Sequence, residues 1–126
     1  ALSYYNAGAG VYKFRVADSG DVTNTNNSYG AISDAKMKTD IVDAGSQWAD
    51  IKALRFRKFK MKDDPSGLLQ LGVVAQEVEE ILPEIVATRE DGYKAVNYEK
   101  LVPLLIEAFK ELSAKVDSKD CNCGCK

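Results

Sequence analysis

The spacing of apolar residues changes character several times along this chain, and each change predicts an element. Val11-Tyr12-Lys13-Phe14-Arg15-Val16 alternates like a half-buried strand, Asp18-Ser19-Gly20-Asp21 supplies a turn, and Val22-Thr23 closes a hairpin. One hairpin has too little core to stand alone, so it needs the downstream domain or copies of itself from other chains. Asn24-Thr25-Asn26-Asn27-Ser28 is polar and without period. From Ser33 onward the pattern is α+β. Ile41, Val42, Trp48, Ile51 and Leu54 take helical spacing over their second half. Leu54 to Lys62 predicts a strand whose apolar positions slip from even (Leu54, Phe56) to odd (Phe59, Met61), which a bulge near Arg57-Lys58 would absorb. Its basic residues would share the other face, as a solvated surface or an anion-binding patch. Asp63 to Gly67 is a turn by composition, and Leu69 to Ala75 is apolar enough for a central strand. Gln76 to Leu82 fits a short helix that Pro83 stops, and Asp91-Gly92 marks a hairpin between Ile85-Val86-Ala87 and Tyr93 to Val96.

The last element carries information about assembly. Asn97 can cap a helix from Tyr98 to about Asp117. Val102, Leu105, Phe109, Leu112 and Val116 follow a 3-4-3-4 spacing, the seam of a coiled coil. Leu101, Leu104 and Ala108 form a second apolar strip beside it. Either one strip packs on the chain's own sheet and the other on partner helices, or both form one wide stripe facing a single core. Pro103 should kink the first turn or mark the true start.

The resulting fold class is α+β: a small antiparallel sheet, short helices and a long C-terminal helix, preceded by a β-hairpin. Three segments are expected, residues 1–32, 33–117 and a polar tail 118–126. The 126 residues, 45% of them apolar, suit one modest domain, or a small domain plus an extension. A net charge of −2 gives no reason to expect nucleic acid or an anionic membrane as partner. No apolar run approaches the ~18 residues that would cross a bilayer. Ala1-Leu2-Ser3-Tyr4-Tyr5 lacks the regions of a signal peptide, and the abrupt start reads as a piece of something longer. Cys121, Cys123 and Cys125 crowd the tail in an alternation unlike a zinc knuckle. No metal site is assigned to them: they suit a flexible end, or else metal capture or interchain disulfides where several tails meet.

The chemistry is concentrated in Gly30-Ala31-Ile32-Ser33-Asp34-Ala35-Lys36-Met37-Lys38. The sequence contains no histidine, which excludes every His-based triad. A serine hydroxyl needs a base, and a lysine amine serves once burial or a neighbouring cation lowers its pKa. Lys38 follows Ser33 by five residues, within reach through a turn or a short helix, with Gly30 allowing a bend upstream. Ser33 could then attack the carbonyl before it and cut the chain at Ile32–Ser33. The alternative is that Ser33 caps a short helix beginning at Asp34, with Lys38 solvated.

The order of segments resembles a known family. Asn24 to Asp34 followed by Lys38 is similar to the processing junction of phage tail spikes and fibres. Leu71-Gly72-Val73-Val74-Ala75-Gln76-Glu77-Val78, then Leu82-Pro83-Glu84-Ile85-Val86, resembles the middle of their C-terminal intramolecular chaperone auto-processing domain, and Val96-Asn97-Tyr98 through Leu112 resembles its final helix. Endosialidase spikes carry the same domain. The resemblance implies a homotrimer that registers its own upstream stalk during assembly in the host bacterial cytoplasm. It then releases itself by cutting Ile32–Ser33, leaving the upstream product on the virion tail. Carried onto this chain, Ser33 is the nucleophile, Lys38 its general base, and Asp34 a junction residue that orients rather than reacts. No cofactor is implied, and whether a bound nucleotide triggers the cut is left open. A structural trimeric tip that never cuts is the second reading. The Cys-containing tail matches nothing in the family.

Overall fold

A computed structural model describes residues 2–124, with side chains described through residue 119. Cys125, and the side chains of Cys121 and Cys123, lie outside the described residues. The fold is α+β, and the chain divides into two compact units, Ala1–Val42 and Asp43–Lys126.

The first unit is an antiparallel meander of β1 (Leu2–Asn6), β2 (Val11–Val16) and β3 (Val22–Asn24). The predicted hairpin is its second half; β1, which the sequence pattern did not predict, adds the third strand. Gly10 and Gly20 sit at positive φ in the two connections, where a side chain would be strained. Tyr4 pairs Phe14 while Tyr5 pairs Tyr12, so Lys13 is a surplus residue on β2. Leu2, Tyr4, Phe14, Val16 and Val22 consequently meet across one face. The Tyr5 and Tyr12 rings, with the Arg15 guanidinium over Tyr12, occupy the other. None of the described side chains of this unit is buried. Within its own unit this one-layer sheet has no second layer to cover its apolar face.

The second unit begins with α1 (Trp48–Ala53), then pairs β4 (Arg57–Phe59) with β5 (Gln70–Gly72). The long strand predicted over Leu54–Lys62 is reduced to three residues in regular register, without a bulge. Leu54 terminates α1 instead, and Phe56 is left 75% exposed. Its partner is equally short because α2 (Ala75–Glu79) starts three residues after β5 ends, so the predicted central strand is an edge strand. The basic face does not form as a unit either. Arg57 donates from Nε and Nη2 to both oxygens of Glu77 on α2. That pairing raises the Arg57 pKa and lowers that of Glu77.

After α2 a 3₁₀ turn at Pro83–Ile85 leads into the hairpin of β6 (Val86–Thr88) and β7 (Lys94–Val96), with Gly92 at positive φ in the predicted turn. Lys94 ties β7 to α2 through Glu79 at 2.9 Å. A second 3₁₀ turn, Tyr98–Lys100, precedes α3 (Leu101–Gly124); Asn97 occupies the cap position but makes no side-chain bond. Pro103 lies in the first turn of α3, where the missing N–H would have had no helical partner. The buried core among the described residues is Val78, Ile85, Leu104 and Ala108. Two of these come from the second strip of α3, whereas every seam residue is exposed: Val102, Leu105, Phe109, Leu112 and Val116. Val102, Leu105, Phe109 and Leu112 line an apolar groove along α1 and α3 together with Trp48 and Ile51. No described helix is long and apolar enough to cross a membrane.

Candidate active site

Residues 25–34 form no regular element, and the chain is shaped there by side chains. Asn24 at the end of β3 accepts the Ser28 N–H through Oδ1 and donates to the Ser28 carbonyl through Nδ2. Asn27, at φ +50°, makes the bend between them, in the left-handed region that asparagine tolerates better than most residues. The bend expected at Gly30 is therefore made three residues earlier, and Gly30 takes no positive φ.

Asp34 comes next. Its carboxylate accepts the Lys36 N–H at 2.9 Å and caps a single 3₁₀ turn, Ala35–Met37. The capping role that the sequence allowed Ser33 thus falls to Asp34, and Ser33 stands one residue outside the turn. Lys38 closes the turn through its N–H to the Ala35 carbonyl. The turn reverses the chain enough that the Lys38 side chain reaches back to Ser33, and Nζ donates to Oγ at 2.6 Å. A sequence separation of five has become direct contact because one side-chain cap replaces what would otherwise be extended chain.

The surroundings are open. Ser33 and Lys38 are both exposed. So are the apolar side chains beside them, with Ile32 at 85% and Met37 at 75%. Ile32 carries the carbonyl that Ser33 would attack. Among the described residues no group of His, Cys, Asp or Glu could hold a metal ion.

The chemical resources here are a hydroxyl, an amine in contact with it, and the peptide carbonyl of the exposed residue just upstream. Residues 33–87 match the chaperone of endosialidase family, peptidase S74. This is the family that the sequence resembles, and the match covers a little under half of the chain. The chaperone segment starts at Ser33 itself, takes in Asp34 and Lys38, runs through α2, and ends within β6. It supports a chaperone role. No curated protein matches the chain.

Two asparagines that shape this geometry escaped the sequence reading. Asn24 and Asn27 were visible only as part of a polar stretch, although asparagine pairs of this kind commonly build side-chain turns.

Proposed function

We propose that the protein is an intramolecular chaperone that trimerises, registers a phage tail spike or fibre while it folds, and then releases itself by autoproteolysis at Ile32–Ser33. The observation that carries the reading is the 2.6 Å contact between Lys38 Nζ and Ser33 Oγ at the first residues of the matched chaperone segment. With Nζ deprotonated, it takes the Oγ proton as Oγ attacks the Ile32 carbonyl carbon. The Ile32–Ser33 C–N bond breaks, the Ser33 nitrogen takes a proton, and an Ile32 ester on Ser33 Oγ remains. Water hydrolyses that ester to an Ile32 carboxylate and the original serine.

Assembly explains both the exposed seam and the uncovered sheet. Three copies of α3 bury Val102, Leu105, Phe109, Leu112 and Val116 against one another. Three copies of the first unit bury the face of Leu2, Tyr4, Phe14 and Val16. Non-local β pairing is slow and exposes strand edges, so joining three chains at one end raises their effective concentration and fixes register. Cutting the join afterwards removes the refolding template and leaves the stalk kinetically trapped.

The exposure of both Ser33 and Lys38 favours a second reading, a structural trimeric tip that never cuts, because polar catalytic groups act most strongly in a site that excludes water. Mass measurement under denaturing conditions decides between them. The intact chain should yield one fragment ending at Ile32 and another beginning at Ser33, and Ser33→Ala should remain whole. A released fragment beginning elsewhere, or a trimer that stays whole, overturns self-cleavage at this bond.

A further inference from the structure

Lys38 Nζ donates to Ser33 Oγ at 2.6 Å, so the amine that serves the hydroxyl also stands beside whatever Oγ comes to carry. In self-cleavage that is the Ile32 acyl group, whose carbonyl carbon is bonded directly to Oγ. The work of Lys38 changes at this point. Nζ takes the Oγ proton in the first step and passes it to the departing Ser33 nitrogen, which leaves Nζ neutral with a free lone pair. A neutral lysine amine is itself a nucleophile toward an activated carbonyl. It forms an amide, which is more stable than the ester it consumes.

Hydrolysis alone would require the junction to seat a water against the ester and keep the amine away from it. Its side chains are arranged otherwise. Ile32 is 85% exposed, and Ser33, Asp34 and Lys38 are exposed with it. The Asp34 carboxylate is turned to the Lys36 N–H. Among the described residues, Lys38 is the side chain bonded to Ser33 Oγ. The turn that holds it there, from Asp34 to Lys38, lies wholly on the C-terminal side of the scissile bond. Breaking Ile32–Ser33 therefore leaves Lys38 beside Ser33, and a nucleophile held in contact competes with water through its high effective concentration.

We propose that Lys38 is an acyl acceptor as well as a base, and that part of the Ile32 ester passes to Nζ as an Ile32–Lys38 isopeptide bond. The Nζ lone pair forms the new bond to the Ile32 carbonyl carbon, the bond from that carbon to Ser33 Oγ breaks, and one Nζ proton moves to Oγ. No water is consumed, and nothing is oxidised or reduced. The proposal rests on the self-cleaving reading and gives its intermediate a second fate. Hydrolysis frees the chaperone segment, whereas transfer to Lys38 leaves it attached to the upstream segment through a branch. The branched chain has the mass of the intact chain, but Ser33 carries a free α-amine and the Lys38 side chain is an amide.

The test uses the intact chain after incubation. Hydroxylamine first removes any surviving ester; full-length chains are then separated from cleaved ones under denaturing conditions and digested with trypsin. In a linear chain, residues 16–36 form one tryptic peptide that contains the Ile32–Ser33 bond. The branched chain should instead release residues 33–36 with a free amine. It should also join residues 16–32 through Lys38 to residues 37–52, because trypsin does not cut after an acylated lysine. Ser33→Ala should lose both products completely. Lys38→Arg, whose guanidinium neither deprotonates nor takes up the acyl group near neutral pH, should lose the branch completely. Released wild-type fragments beside a full-length fraction that yields linear peptides alone overturn the proposal and leave self-cleavage standing. A branch on Lys36 instead of Lys38 overturns it too, since the contact with Oγ belongs to Lys38. Absence of both fragments and branch would mean that no ester forms, which sinks the self-cleaving reading together with the proposal.

Discussion

Leu104 and Leu105 are consecutive on α3 and face opposite environments: Leu104 is 7% exposed and Leu105 is 53% exposed. Leu104 belongs to the core with Val78 and Ile85, whereas Leu105 lines the open groove with Phe109 and Leu112. Substitutions on the two strips should therefore separate folding from assembly. Leu104→Ala should cost about 2–4 kcal/mol of unfolding free energy by leaving a cavity. Phe109→Asp or Leu112→Asp should leave the single-chain core intact and abolish the trimer, because three carboxylates would meet near one axis. Lys110→Asp, at an exposed position 3.7 Å from Glu107, should change neither. Sedimentation beside urea unfolding reads both; a trimer that survives Asp at both 109 and 112 would place trimerisation in the stalk.

The two strips of α3 were legible in the sequence because helical periodicity is local. Their division between core and solvent was not, since that depends on what α2 and the 3₁₀ turn at Pro83–Ile85 bring to Leu104. The β4 region shows the converse. Its residues suit a long strand, but strand length is set by the partner, and β5 has only three residues to offer before α2 begins. At the junction, Ser33 and Lys38 were legible as a candidate pair, because a missing histidine narrows the choice of base, and the structure brings the two side chains into contact. That Asp34 supplies the cap was less so, because Ser and Asp are equally good caps and the structure alone shows which side chain meets the Lys36 N–H.

Lys38→Arg preserves the charge and length of the side chain but removes a base, since a guanidinium does not deprotonate near neutral pH. It should slow cutting by roughly 10²–10⁴-fold, the usual worth of a positioned base, while the trimer still forms. The ester intermediate gives an independent readout. Hydroxylamine at neutral pH should accelerate release of the wild-type fragment and leave an Ile32 hydroxamate, with no effect on Lys38→Arg over the same time. Cutting of Lys38→Arg at the wild-type rate would make Lys38 structural and send the search for a base elsewhere.

Stability should fall at acid pH through a small set of carboxylates. Asp64 is lowered below 3.8 chiefly by its bonds from Ser66, Glu77 below 4.5 by Arg57, and Glu111 below 4.5 by Gln47 and Ser46. Each binds its proton more weakly folded than unfolded. Its contribution is therefore present above the ordinary value and is lost as pH falls through the folded value. With no histidine in the chain, the urea midpoint should stay nearly level between about pH 5 and 8 and drop below about pH 4. Glu77→Gln combined with Glu111→Gln should lower the plateau and flatten the acid limb. An unchanged acid limb in that double variant would mean that other carboxylates govern it.

Gly72 is buried where β5 passes Tyr98, and the Tyr98 hydroxyl accepts the Val73 N–H at 3.2 Å. A Cβ at position 72 would lie 2.6 Å from that hydroxyl oxygen and 3.4 Å from the Phe59 ring. The clash is with the far end of one side chain and the face of another, and Gly72 is not at positive φ, so the conflict is steric rather than conformational. Gly72→Ala should therefore destabilise the second unit by about 1–3 kcal/mol through overpacking. Tyr98→Phe alone should cost about 1 kcal/mol, since it strips the Val73 N–H of its acceptor. Together they should cost less than the sum, because the phenylalanine removes the atom that the new methyl group meets. A double-mutant cycle measured by urea unfolding checks the sign of that coupling. Strict additivity would show that the Tyr98 ring does not close over Gly72, and that the approach of the 3₁₀ turn at Tyr98–Lys100 to β5 is set by something else.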